Sequence, residues 1–179
     1  MSLVFIASAT ASSSATLEFT SGIDSTYNEY QFQFVNMHPA TDNANFTFQV
    51  NAAGESGFNE VMTTTAFYAY NRKTTGASAL TYDGNNDQAQ GTGYQDIFAY
   101  DVGNEGESST SGILTLYDPS SITYVKHFAA VGSGIAYGTY VISMYNTGYI
   151  NTTNAINQIS FKFASGNIDA GTIYMYGVG

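Results

Sequence analysis

Hydrophobic and polar residues alternate along most of this chain with a period of two, the repeat of a strand with one dry and one wet face. The clearest stretch is Tyr27 to Asn51. Tyr30, Phe32 and Phe34 alternate with Gln31 and Gln33; Phe46, Phe48 and Val50 alternate with Thr47, Gln49 and Asn51. Between them Asn36 to Asn45 holds proline, aspartate and asparagines, which turn a chain by fixing φ or by bonding their own backbone. This pattern predicts an antiparallel strand pair joined by a long connection.

The same reading continues in chain order. Leu3 to Ala7 predicts a first short strand, Thr16 to Thr20 a second, and Val61 to Asn71 a strand rather than a helix, because three consecutive threonines are stiff at χ1. Thr74 to Gly93, punctuated by four glycines, predicts a long irregular segment in which only Leu80 to Tyr82 has strand character. Loops of that length are uncommon in compact domains, so binding is expected there. Strands follow over Tyr94 to Val102 and Ile113 to Tyr117, with Gly103 to Gly112 a polar loop. Ile122 to Ala130 predicts a strand with Ile122, Tyr124, Lys126 and Phe128 on one face, then a reversal at Gly132 to Gly134. Tyr137 to Tyr145, Ile156 to Phe163 and Thr172 to Val178 complete the set, with Asn146 to Asn154 a loop.

The last strand places Ile173 and Met175 on one side and Tyr174 and Tyr176 on the other. With both faces bulky, it is either central or covered from outside the sheet. Tyr174, Tyr176 and Val178 are therefore candidates for a subunit interface. Because Ile159 to Val178 supplies a second apolar pair, the Tyr27 to Asn51 pair is expected to form one half of a sandwich.

About ten strands with no helix-period crossover predict an all-β fold with little or no helix, an antiparallel, jelly-roll-like β-sandwich. Residues 1–14 read as an N-terminal arm or first strand and residues 15–179 as one sandwich domain. Composition agrees: 15 tyrosines, 12 phenylalanines and 18 glycines stand against only 10% charged residues. A net charge of −10, with Arg72, Lys73, Lys126 and Lys162 the only lysines and arginines, leaves no basic stripe to neutralise a phosphate backbone. The absence of cysteine removes disulfides and thiolate metal sites. The N-terminus lacks the basic start and long apolar run of a secretory signal, and no apolar run reaches the ~20 residues of a membrane helix.

Candidate chemistry is sparse. His38 reads as a solvated loop residue, His127 as a strand histidine and Ser133 as part of a glycine turn, with no nucleophile elbow. Fourteen acids offer many carboxylate pairs, so a glycosidase signal has no specificity, and the tryptophan common in sugar clefts is absent. No enzyme and no cofactor are expected. Asp83, Asn85 and Asp87 have the alternate spacing of calcium-loop ligands, but Gln88 and Tyr94 stand where such a loop needs glycine and an acid. They remain calcium candidates outside the EF-hand form, with Glu105 or Glu107 as further ligands. Asn45 and Asn151 head glycosylation sequons that Asn/Thr-rich chains produce by chance.

The abundance of Tyr, Ser, Gly and Asn is that of binding loops and of assembling subunits alike. Tyr82, Asn85, Asn86 and Tyr94 are the recognition-loop candidates.

GIDSTYNEYQFQFVNMHPATDNANFTFQVN from Gly22 to Asn51, LTLYDPSS from Leu114 to Ser121 and GTIYMYGVG from Gly171 to Gly179 resemble a group of all-β virion proteins of tailed bacteriophages, especially marine ones. The likeness spans most of the chain, and its motifs are structural. It implies a non-enzymatic virion protein on the particle surface, a capsid decoration protein or a head-fibre or tail-fibre module. Such a protein is expected to be a homo-oligomer, most simply a trimer, that contacts other virion proteins and, at a fibre tip, a host surface glycan. Neither nucleic acid nor membrane is an expected partner. A carbohydrate-binding, lectin-like receptor-recognition module is the alternative, and a glycan hydrolase a third reading.

Overall fold

The computed structural model describes residues 2–136 and 138–179, with the side chain of Ala99 left aside. Met1 and Tyr137, with which the expected arm and one expected strand begin, lie outside the described residues. The fold is all-β and antiparallel, with no helix among the described residues. Its strands are β1 (Leu3–Thr10), β2 (Leu17–Phe19), β3 (Glu29–Pro39), β4 (Ala44–Ala52), β5 (Met62–Arg72), β6 (Ser78–Tyr82), β7 (Ala89–Gly91), β8 (Gln95–Val102), β9 (Thr110–Tyr117), β10 (Lys126–Ala136), β11 (Tyr140–Ile150), β12 (Ile156–Phe163) and β13 (Ile168–Val178).

All belong to one sheet folded over into two facing layers. Four segments, β1–β2, β12–β13, β3–β4 and β8–β9, each cross from one layer to the other. Side by side they give β1-β13-β3-β9 in the first layer and β2-β12-β4-β8 in the second. Pairing persists around the bend, where the Ala40 amide donates to the Asn167 carbonyl at 2.9 Å and the Ala164 amide to the Asn45 carbonyl at 2.8 Å. The result is an antiparallel ribbon bent back on itself. Beyond β9 the first layer continues through β10, β11 and β5 to β6 and β7. At one corner β10 meets β8 through Ala136 and Val102, so the folded sheet nearly closes.

Phenylalanines from both layers fill the space between. Phe34 meets Phe46 at 5.3 Å, Phe19 meets Phe32 at 5.6 Å, and Phe48 meets Phe128 at 4.9 Å between ring centroids. Tilted and edge-to-face contacts at these distances add to what ring burial alone contributes.

Several expectations are corrected. β3 and β4 do not pair: β3 lies between β13 and β9, and β4 between β12 and β8. β12 and β13 likewise sit in opposite layers. The long connection shrinks to Ala40–Asn43, with Asn43 at a left-handed φ of 57°. The same Asx and proline cues serve a chain that folds back beside itself or across a core. Gly132 to Gly134 does not reverse the chain, and β10 runs straight through it. A Cβ on Gly134 would come within 3.0 Å of the Phe98 ring, so this glycine makes room for a core aromatic. The expected loop from Asn146 is strand as far as Ile150. Ile122 and Tyr124 are 81% and 71% exposed and precede the strand, whereas Lys126 is fully buried, its Nζ donating to the carbonyls of Tyr124 and Thr152. Of the two readings of the N-terminus, arm or first strand, residues 3–10 take the strand, paired along β13.

Candidate functional site

Alternation gives the first layer an inner face toward the core and an outer face toward solvent. On the outer face the register aligns one row of apolar side chains across five strands. Ile113 on β9 opposes Val131 on β10, Val131 opposes Tyr145 on β11, Tyr145 opposes Phe67 on β5, and Phe67 opposes Tyr82 on β6. These five side chains are 41–66% exposed. Tyr145 and Phe67 stack in parallel, with centroids 4.9 Å apart and planes 6° apart. Exposed Leu80 and Val141 lie to one side of the row, one and two outward positions further along the strands.

A wet sheet face ordinarily carries charge. No Asp, Glu, Lys or Arg occupies an outward position on β9, β10, β11, β5 or β6: the rest are Ser, Thr, Ala, Asn, Ile135, Tyr117, Tyr149 and His127. Shallow depressions follow the row, one of about 450 Å³ beside Ile113 and Val131 and another of about 220 Å³ beside Phe67 and Tyr145.

The expected interface residues lie on the same outer side. Tyr174, Tyr176 and Val178 are half-buried on β13, which sits between β1 and β3. Tyr174 opposes Gln33, which in turn opposes Ile113, so it continues the apolar row. Tyr176 meets Phe5 edge-on at 5.9 Å.

The recognition-loop candidates do not converge. Tyr82 ends the apolar row, with its hydroxyl on the Asp87 carboxylate. Asn85 is exposed, while Asn86 donates to the Asp83 carboxylate and accepts from the Gln95 amide at 3.0 Å. Tyr94 lies on the outer side of the opposite layer, its hydroxyl donating to Ser160 at 3.1 Å and its ring 4.1 Å from the Lys162 ammonium. The segment that holds them is ordered along β5, where the Asp83 amide donates to the Ala66 carbonyl at 3.0 Å and the Gln88 amide to Thr64 Oγ1 at 2.8 Å.

The calcium candidates are likewise engaged apart: Asp83 is buried on Asn86, Asp87 holds Tyr82, and Asn85 faces solvent. Among the described residues no group of three or more His, Cys, Asp or Glu is placed to hold a metal. His38 is a strand residue rather than a loop one. Its Nε2 donates to the Glu105 carbonyl at 3.1 Å and its Nδ1 lies 3.8 Å from the Asp169 carboxylate. Nearby Ser108 gives its hydroxyl to the Glu105 carboxylate at 3.0 Å, so histidine and serine are not directed at one another.

Asp96 on β8 is the one carboxylate strongly perturbed. Burial, with the charges of Asp83 and Asp101, raises it to about 6 against the opposing hydrogen bond from Asn45. No protein-family model matches this chain, no curated protein is similar to it, and no solved structure matches it.

Proposed function

We propose that the protein is a non-enzymatic structural component of a tailed-phage virion, displayed on the particle surface as a decoration or fibre protein, and that it assembles with copies of itself. The observation that carries the assembly reading is the uncharged outer face of β9, β10, β11, β5 and β6. Copies with a net charge of −10 repel wherever acids meet, so an interface between them favours a surface without acids. Five strands about 4.8 Å apart and up to ~36 Å long present on the order of 700 Å², close to the ~800 Å² per partner of a stable interface. The side chains are of the right kind, since tyrosine and phenylalanine are enriched at interface centres and lysine and glutamate depleted.

The virion assignment rests on the resemblance of Gly22 to Asn51, Leu114 to Ser121 and Gly171 to Gly179 to phage particle proteins. Its test is mass spectrometry of density-purified phage particles, with immunogold electron microscopy to locate the protein. Recovery at a stoichiometry matching a capsid or tail symmetry supports the reading. Absence from particles while the protein is abundant in infected cells removes it.

A further inference from the structure

Past β8, where the second layer ends, the inner faces of β5 and β11 continue uncovered. The side chains change there. Nine buried phenylalanines fill the shared core, whereas the overhang carries Tyr68 and Tyr70 from β5 and Tyr140 from β11, with Tyr100 of β8 facing them. Together with Ile142 they line an open cleft of about 410 Å³, within the ~300–1,000 Å³ of small-molecule sites. The rings form a continuous wall: Tyr100 to Tyr68 at 4.2 Å, Tyr68 to Tyr70 at 6.2 Å, and Tyr70 to Tyr140 at 5.7 Å. If the overhang only closed the end of the core, phenylalanine would serve; half-exposed tyrosines bring hydroxyls as well as faces. Those of Tyr68 and Tyr70 make no hydrogen bond within the described fold.

Arg72 stands at the end of the same row. It opposes Tyr140 across the β5–β11 ladder and holds its guanidinium 5.2 Å from the Tyr140 ring centre. Its Nε is buried with no hydrogen-bond partner. Lys73 lies across the sheet, in a depression of the outer face with Asn71, Ile135 and Val141, which leaves Arg72 as the cation beside this cleft. Despite fourteen acids, no described lysine or arginine lies within salt-bridge distance of a carboxylate. A guanidinium held beside an aromatic wall is suited to a planar anion carried on a ring.

We infer that this cleft binds a uronic-acid unit of an acidic saccharide, its pyranose ring stacked on the tyrosine wall, its hydroxyls on Tyr68 and Tyr70, and its carboxylate on Arg72. The Asp101 and Glu105 carboxylates belong to the same end of the molecule, which favours a single carboxylate on a ring over a densely charged polyanion. The cleft lies on the side of β5 and β11 opposite the proposed assembly face, so either proposal can fail alone.

The test titrates the full chain with oligomers of glucuronate, galacturonate and mannuronate and with their neutral hexose counterparts. Saturation-transfer NMR reads the sugar, and tyrosine fluorescence, unobscured because the chain has no tryptophan, reads the cleft. At least one acidic oligomer is expected to bind with a Kd of ~1 mM or tighter, and about tenfold more tightly than its neutral counterpart. Arg72→Gln is expected to abolish that preference, and Tyr70→Phe, which keeps the ring, to weaken binding severalfold; thermal melts check that both variants fold. Equal binding of acidic and neutral sugars, an acidic preference that survives Arg72→Gln, or binding of neither series by the wild-type chain would overturn the inference.

Discussion

Replacing Asp96 with asparagine is expected to stabilise the protein at neutral pH and to have almost no effect at pH 4. Burial is the main reason its carboxyl rises to about 6, and the charges of Asp83 and Asp101 add to it. In the unfolded chain the group returns to its ordinary value of 3.8. The folded state therefore holds this proton more tightly than the unfolded state. The contribution is most favourable below about pH 4, is lost as pH rises through about 6, and stays lost above. A rise of roughly two pH units at ~1.4 kcal/mol each amounts to up to ~3 kcal/mol, or ~2–3 kcal/mol because the side chain keeps some solvent contact. Asparagine preserves the shape and can still accept from the Asn45 amide, now 3.2 Å from the carboxylate. The variant should melt about 4–9 °C higher at pH 7.5 and within ~1 °C of wild type at pH 4. Circular dichroism melts of both proteins from pH 4 to 8 measure this. A gain of equal size at both pH values, or a loss at pH 7.5, would refute the reasoning.

Gly112→Ala is expected to destabilise by ~3 kcal/mol or to prevent folding, because a Cβ there would meet the Val131 carbonyl at 2.1 Å and the Phe34 ring at 2.6 Å; urea titration reads the loss. Tyr30→Phe should cost ~1–2 kcal/mol in the same assay, since the buried hydroxyl accepts from the Asp24 amide and shares its single proton between the Asp24 carbonyl and carboxylate, all three at 3.0 Å. Self-association should tighten between ~20 and ~300 mM salt, as screening weakens repulsion between acidic copies while an uncharged contact loses nothing; weakening with salt would indicate ionic contacts instead.

Strand positions were legible because a half-buried strand writes its period into the sequence, and Tyr30 to Phe34, Phe46 to Val50 and Ile159 to Phe163 do so plainly. Partners were not. Whether Ala40–Asn43 folds β4 beside β3 or across the core depends on β12 and β13, more than a hundred residues away, which pair with each of them separately. Glycine carried a second ambiguity, since it both permits turns and yields space; at Gly132 and Gly134 the crowding comes from Phe98, invisible to local pattern.

The apolar face was half legible. Ile113, Phe67 and Tyr145 were in predicted strands, whereas Val131 fell between a predicted strand and a predicted reversal, and only register aligns the four. The cleft was legible to the same degree: Tyr68 and Tyr70 share a parity, as do Tyr140 and Ile142, but bringing those pairs together required the β5–β11 ladder. The calcium spacing at Asp83, Asn85 and Asp87 belongs to a turn whose side chains bond one another.

The most direct test of assembly through the outer sheet face is sedimentation velocity on the wild-type chain beside Val131→Lys and Tyr145→Lys. Both substitutions place a charge at the centre of the face without touching the core. Wild type is predicted to sediment as a closed oligomer at micromolar concentration and both variants as folded monomers. A monomeric wild type, or variants that remain oligomeric, would contradict the account.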